Sequence, residues 1–186
     1  MRRGTDDRNM LDEFCIAFCD VVEKHTPYII VSGFVAISSG RVRATEDIDM
    51  ILPRLSAQQF VTLHDDLLRQ GFVCMQGGDG RALYHEYLSN QTSIRYTKGD
   101  IPVPEMEIKL AKDALDDYQL QTRQRLPLTG LPIWFSSINM NIAFKEEYLK
   151  SDKDLEDAQY LRKLYAEQVS EDEIQNIKQM IRRLRL

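Results

Sequence analysis

Two aspartates two residues apart, Asp47 and Asp49, lie in the apolar run 47–52. Because side chains alternate along a strand, a strand here places both carboxylates on one face and Ile48 and Met50 on the other. Like charges side by side on a strand are destabilising unless a cation neutralises them. Mg²⁺ is usually bound by one or two carboxylates together with substrate phosphates. The pair therefore indicates metal-assisted chemistry on a phosphate, and its alternative is a solvated surface turn.

The segment before the aspartates favours the first interpretation. Residues 28–31, Tyr-Ile-Ile-Val, predict a buried strand that ends at Ser32-Gly33, and a helix is predicted to follow. Glycine at such a turn lets the backbone approach a phosphate, and the N–H groups that begin a helix suit an anion. The Ser32 hydroxyl can donate to the same phosphate. Arg41 and Arg43 then add two cations just ahead of the carboxylates.

These residues resemble the nucleotidyltransferase superfamily that includes DNA polymerase beta and kanamycin nucleotidyltransferase. The family pattern is a strand that ends in a Gly-Gly or Gly-Ser turn, a helix, and an apolar-flanked Asp-x-Asp on the next strand. Residues 27–53 resemble it strongly, although Ser32-Gly33 inverts the order of the turn. The order Arg43-x-Thr45-x-Asp47-Ile48-Asp49 is closest to small antibiotic-modifying and abortive-infection type members. The resemblance implies that Ser32, Gly33, Arg43 and Thr45 contact the nucleotide.

The resemblance also implies a third carboxylate on a neighbouring strand. The candidate is Glu107, bracketed by Met106 and Ile108, with Glu105 as the alternative. Alternation places both glutamates and Lys109 on one face. The competing interpretation is a solvated strand face with a Glu–Lys pair. With Glu107, the expected metal ligands are Asp47, Asp49 and Glu107, and a Glu can also act as the base for the acceptor.

A looser resemblance continues through residues 103–165. Residues 133–135 predict a strand, and Ser136-Ser137 predict the cap of a helix that runs to Leu149. Residues 150–158 resemble the Lys-Asp-x-x-Asp element of the same small nucleotidyltransferases. By that resemblance Lys145 and Lys153 become candidate phosphate contacts. The alternative is that the acidic residues of this segment only open a solvated helix.

The expected fold is α+β, a mixed β-sheet flanked by helices with a C-terminal helical part. Residues 1–135 would form the catalytic core and residues 136–186 a helical part packed on it. Capping boxes are predicted at Ser56 and Ser170, each starting a helix. Residues 72–75 predict an edge strand, residues 77–80 a mobile hairpin tip, and residues 125–135 an added hairpin. Further strands are predicted at residues 93–96 and 105–110.

Composition agrees with an ordinary globular protein. The 186 residues are 43% hydrophobic and 28% charged. We expect a cytoplasmic protein with no membrane segment, because no apolar run is long enough and the amino terminus lacks a signal-peptide core. The three cysteines, Cys15, Cys19 and Cys74, are expected to be reduced core residues. The net charge of −5 argues against a general nucleic-acid binder.

The resemblance implies transfer of a nucleoside monophosphate from an NTP to a hydroxyl acceptor. Two Mg²⁺ ions, or Mn²⁺ in their place, are the expected cofactors. The acceptor stays open between RNA, a protein side chain, as in toxin–antitoxin relatives, and a small molecule. A partner protein or a homo-oligomer is compatible with the sequence. The alternative function is a catalytically silent nucleotidyltransferase-like domain that binds or regulates a partner.

Overall fold

The computed structural model describes residues 8–42, 45, 47–99 and 101–186. In this part of the chain, eight α-helices and five β-strands were found. The helices are α1 (Met10–Val22), α2 (Gly33–Ser38), α3 (Ala57–Arg69), α4 (Gly80–Glu86), α5 (Ala114–Gln121), α6 (Ile138–Phe144), α7 (Asp152–Leu164) and α8 (Glu171–Arg185). The strands are β1 (Ile29–Val31), β2 (Asp47–Leu52), β3 (Phe72–Cys74), β4 (Ile94–Lys98) and β5 (Ile101–Leu110).

The described strands form one mixed sheet in the order β1-β2-β5-β4-β3. Strands β2 and β5 are parallel, whereas β1 pairs with β2, and β4 with both β5 and β3, in the antiparallel sense. The edge position of β3 agrees with the strand predicted at residues 72–75. The α+β fold with a mixed sheet and flanking helices is therefore confirmed.

The two faces of the sheet differ in what covers them. On one face, Ile48, Met50 and Ile108 are fully buried and belong to a core with Phe18 of α1 and Leu63 of α3. On the other face, a smaller cluster joins β1 and β2 to α5 and covers only part of the sheet. Its members are Ile29, Val31, Ile51, Ala111 and Leu120. The charged residues of β2 and β5 alternate onto this second, partly open face.

Side-chain caps set several helix starts. Ser56 and Gln59 form the predicted capping box of α3. Ser170 caps α8 as predicted, but the reciprocal bond of the box is replaced. The Asn139 side chain accepts from the Ser170 N–H at 3.1 Å and donates to the Glu173 carboxylate at 2.6 Å. The start of α8 is thus tied to α6.

Two predictions about turns are wrong. Residues 77–80 do not form a hairpin tip, because Asp79 accepts from the N–H groups of Arg81 and Ala82 and so caps the helix α4. Residues 125–135 do not form a hairpin, and residues 133–135 are not a strand. Instead, a 3₁₀ turn begins at Pro127, and Phe135 makes isolated bridges to Gln124 and Ile30. Proline favours a helical first turn and donates no ladder hydrogen bond.

The C-terminal helices share the main hydrophobic core with the sheet. One cluster contains Ile138, Leu161 and Ile177 together with Met50 and other sheet residues. A domain boundary at residue 135 stays a prediction. The three cysteines are buried and free, as expected. Among the described helices, none combines the length and the apolarity that crossing a bilayer requires.

Candidate active site

Four carboxylates stand on the open face of the two central strands. The register of β2 and β5 places Asp47 beside Glu105 and Asp49 beside Glu107. Partners in a parallel register point to the same side of the sheet. The predicted trio of Asp47, Asp49 and Glu107 therefore shares one face, as alternation required.

Ser32 connects this face to the strand–helix turn. Its φ of 66° lies in the left-handed region, where glycine is unstrained and serine is not. Its hydroxyl does not cap α2; it lies beside the Asp49 carboxylate, where it lowers the pKa of that group. Gly33 follows as the first residue of α2 and is buried. The inverted Ser-Gly order thus places a hydroxyl beside the second aspartate.

Asp49 is the carboxylate with the most perturbed surroundings. Burial raises its pKa, and the charges of Glu107 and Asp47 raise it further. Lys109 and the Ser32 hydrogen bond act in the opposite direction. The Lys109 ammonium lies 3.7 Å from the Asp49 carboxylate. Accumulated negative charge of this kind is what a bound cation relieves.

Glu107 does not turn towards Asp49 in this structure. Its Oε2 accepts from Nε and Nη2 of Arg95, on β4, at 3.1 and 3.0 Å. The Arg95 Nε is also 3.6 Å from Glu105. Within the described residues, no three acidic, histidine or cysteine side chains converge closely enough to bind a metal ion. The expected ligands share a face but have not closed around a common point.

A cleft of about 340 Å³ opens beside Asp49, between the open sheet face and the C-terminal helices. Ser32 and Lys109 line its sheet side. Phe144, Tyr148 and Leu149 form an apolar wall. Three further cations also line it, namely Lys112, Lys145 and Arg185, of which Arg185 is paired with Asp113 and Asp116. A lining that combines Asp49 with cations and aromatic rings suits a phosphorylated ligand with an apolar part.

The two lysines predicted as phosphate contacts have different surroundings. Lys145 lines the cleft but is 1% exposed, and its ammonium pairs with Asp157 at 2.9 Å and Asp154 at 3.4 Å. Lys153 lies exposed on α7, outside the cleft lining. Of the two, the structure brings only Lys145 to the cleft. Their role as phosphate contacts stays a prediction.

The loop between α2 and β2 carries the other predicted contacts. Thr45 donates its hydroxyl to the carbonyl of Asp47 at 3.1 Å, next to the carboxylates. Arg43 lies outside the described residues. Arg41 pairs with Glu156 at 2.7 Å and with Asp157, so its side chain faces α7 and not the strand β2. Its role in this structure is to anchor the loop to α7.

Several residues that line the cleft were not predicted as site residues from the sequence. Lys109 was placed on the Glu107 face by alternation, so a cue existed, but a Glu–Lys pair is common on solvated strands. Lys112, Asn141 and Arg185 line the cleft from separate elements. Only tertiary packing brings them together, and no local spacing marks them.

No protein-family model matches this chain, and no curated protein does. Solved structures do. The antibiotic-resistance factor ANT(2″)-Ia in solution superposes with a TM-score of 0.56, at 16% identity, over 92% of this chain and 91% of that chain. An antigenic nucleotidyltransferase-like protein from Paracoccidioides brasiliensis superposes with a TM-score of 0.55, at 16% identity, over 99% of this chain and 91% of that chain. ANT(2″)-Ia in complex with adenylyl-2″-tobramycin superposes with a TM-score of 0.52, at 16% identity, over 93% of this chain and 97% of that chain.

The fold is therefore that of the nucleotidyltransferases. The resemblance drawn from residues 27–53 is confirmed at the level of the fold, over nearly the whole chain.

Proposed function

We propose that the protein transfers a nucleoside monophosphate from an NTP to an acceptor hydroxyl and releases pyrophosphate. The observation that carries the proposal is the position of Asp49. It stands in register with Glu107 and, together with Ser32, lines a cleft that several cations also line. This combination supports the proposal, because acidic groups can hold the metal for phosphoryl transfer and positive groups can offset the charge of a triphosphate.

The carboxylate set fits a divalent cation by its chemistry. Asp47, Asp49 and Glu107 offer hard oxygen donors on one sheet face, and burial together with the nearby Glu107 and Asp47 raises the pKa of Asp49. When bound there, two Mg²⁺ ions, or Mn²⁺, would lower the pKa of the acceptor hydroxyl and offset charge on the phosphates.

The remaining residues of the cleft would bind and orient the nucleotide. Ser32, Lys109 and Lys112 line the cleft and would contact the phosphates and offset their charge. Gly33 keeps the phosphate contact that the sequence resemblance implies. Phe144 and Tyr148 meet edge to face, with ring centroids 6.0 Å apart, and give the base or sugar an apolar wall. Arg43, Thr45, Lys145 and Lys153 keep the nucleotide-contact role that the sequence resemblance implies.

The acceptor is the open part of the proposal. ANT(2″)-Ia was solved with an adenylylated tobramycin, so ATP with an aminoglycoside is the first pair to test. RNA and protein side chains are the other two classes of acceptor.

The direct test is incubation with each α-³²P-labelled NTP and Mg²⁺ in the presence of an aminoglycoside panel and of cell extract. The RNA, protein and metabolite fractions are then separated. Label is expected in one fraction, and Asp49→Asn is expected to lower it by a factor of at least 100, because this carboxylate would hold the metal ions that offset charge on the transferred phosphate. Equal labelling by the wild type and Asp49→Asn would reject the assignment.

A catalytically silent binding domain is the second candidate. Two observations favour it. Arg95 forms an ion pair with Glu107, and Ser32, not a glycine, has the positive φ at the strand–helix turn. Such a domain keeps the fold but fails to bind Mg-NTP. A thermal-shift measurement with each NTP separates the two, since a ligand at 100 times its Kd stabilises the folded protein by about 2.7 kcal/mol.

A further inference from the structure

Glu107 has two different neighbours on the open sheet face. The β2–β5 register places Asp49 on one side of it, and the β4–β5 register places Arg95 on the other. A glutamate carboxylate between two such neighbours can turn to either by rotating its side-chain torsions. One direction leads to the expected metal site and the other to a guanidinium.

In this structure Glu107 has turned to the guanidinium. Two nitrogens of Arg95 donate to one Glu107 oxygen at 3.0 and 3.1 Å, and a third contact reaches Glu105 at 3.6 Å. Asp49 has a separate cation, Lys109. Each of these carboxylates is therefore already neutralised from within the chain. This accounts for the failure of the predicted trio to converge among the described residues.

We propose that Arg95 is a resting-state counter-ion that holds Glu107 on the β4 side, so that Glu107 reaches the divalent-cation site beside Asp49 only when Arg95 releases it. The inference rests on the proposed function and adds a competition to it: one carboxylate serves either the guanidinium or the cation. Arg95 acts here as a positioning residue, because it works through Glu107.

The energetics allow this exchange. The Arg95 side chain is 45% exposed and that of Glu107 19%. Ion pairs at this level of exposure are weak, because water screens both partners. A divalent cation that gains an extra carboxylate ligand can offset such a loss. Arginine stays charged at any ordinary pH, so release depends on a competing charge and not on deprotonation of Arg95.

The test measures Mn²⁺ binding without nucleotide, by the loss of the free-Mn²⁺ electron paramagnetic resonance signal. Arg95→Gln is expected to bind Mn²⁺ about fivefold more tightly than the wild type, the order expected for removal of one exposed competing ion pair. Arg182→Gln is the matched control. It removes another arginine that is about half exposed and makes a two-nitrogen pair with a glutamate, Glu147.

A double-mutant comparison separates the competition from simple repulsion between Arg95 and the cation. In a Glu107→Gln background, Arg95→Gln is expected to change the Mn²⁺ affinity by less than twofold, since no carboxylate remains to be released. Unfolding midpoints of each variant, measured without metal, check that the fold is retained.

Three results would overturn the proposal. If Arg95→Gln binds Mn²⁺ no more tightly than the wild type, Arg95 supports Glu107 as a ligand instead of competing for it. The fivefold gain persisting in the Glu107→Gln background would reduce the effect to repulsion. Mn²⁺ binding that is absent, or unaffected by Asp49→Asn, would remove the metal site of the proposed function as well. The first two outcomes leave the proposed function standing.

Discussion

Ser32 combines an unusual backbone conformation with a position in the candidate active site. Its φ is 66°, and it lines the same cleft as Asp49. A non-glycine residue in the left-handed region costs about 1–2 kcal/mol. We infer that a hydroxyl beside the carboxylate face is the reason why a serine holds this position.

The first prediction separates that strain from the hydroxyl. Ser32→Gly and Ser32→Ala both lose the hydroxyl, but only the alanine keeps the strained φ. The glycine variant is expected to be more stable than the alanine variant by about 1–2 kcal/mol in denaturant unfolding. Equal stabilities would mean that the turn relaxes and that the strain is not part of the site.

The second prediction concerns Asp49. Without divalent ions, Asp49→Asn is expected to leave the unfolding free energy within about 1 kcal/mol of the wild type, or to raise it. The asparagine removes repulsion from Glu107 and Asp47 and loses only the contact with Lys109. Denaturant unfolding in EDTA measures this, with Asp20→Asn, an exposed change on α1, as the control. A loss above about 2 kcal/mol would show that Asp49 holds the fold together.

The third prediction concerns pH and a buried histidine remote from the cleft lining. The Nδ1 atom of His64 lies 2.6 Å from the Tyr96 hydroxyl, and its buried Nε2 has no hydrogen-bond partner in the described structure. Burial lowers the pKa of His64, and the acidic neighbours Asp65 and Asp79 oppose the shift only in part. The unfolded chain therefore takes up the proton more readily than the folded one.

The stability that depends on neutral His64 is full above its ordinary pKa of about 6.5 and declines as the pH falls below it. The unfolding free energy of the wild type is expected to drop over that range more steeply than that of His64→Gln. His85→Gln, the same substitution at an exposed position, is the control. Parallel slopes for the wild type and His64→Gln would contradict the assignment.

At the scale of elements, Lys145 joins the end of α6 to α7. Its ammonium is buried between Asp154 and Asp157, and Asp157 also pairs with Arg41 from the loop ahead of β2. The buried charge network therefore ties Lys145, which borders the cleft, to α7 and to the segment ahead of β2. Such a network is destabilised strongly when one partner is removed.

The fourth prediction compares two lysines of this region. Lys145→Met is expected to lower the unfolding free energy by about 3–5 kcal/mol, because it leaves buried acidic groups short of a cation. Lys153→Met, at an exposed site on α7, is expected to stay within about 0.5 kcal/mol of the wild type. Thermal and denaturant unfolding measure both. Similar small losses for the two variants would show that Lys145 is not a structural anchor.

Element prediction succeeded where the local pattern decides the structure. The period-two alternation of residues 47–52 and 105–110 set the shared face of Asp49 and Glu107. Ser56 and Gln59 set the start of α3, because each side chain accepts a hydrogen bond from the backbone N–H of the other. The helix α4 was missed because three glycines dominated the segment 77–80, although Asp79 supplied the cap. The hairpin at residues 125–135 was wrong because a proline turn replaced the ladder.

At the scale of the whole molecule, the fold follows from the sheet order. Strands β2 and β5 lie side by side although more than 50 residues separate Asp49 from Glu107. That pairing could be expected from the resemblance to nucleotidyltransferases but not from either strand alone. Arg95 beside Glu107, and Arg185 beside the cleft, depend on long-range register and packing that local spacing does not record.

The central claim is that the carboxylate face and the cleft together bind a metal–nucleotide complex, and equilibrium unfolding with Mg-ATP tests it most directly. At 100 times its Kd, Mg-ATP should stabilise the wild type by about 2.7 kcal/mol. Each other Mg-NTP is tested at the same concentration, in case the base preference differs. Asp49→Asn should show almost none of this gain, while its stability without ligand is retained. Absence of stabilisation by every Mg-NTP, or the same gain in Asp49→Asn, would contradict the account.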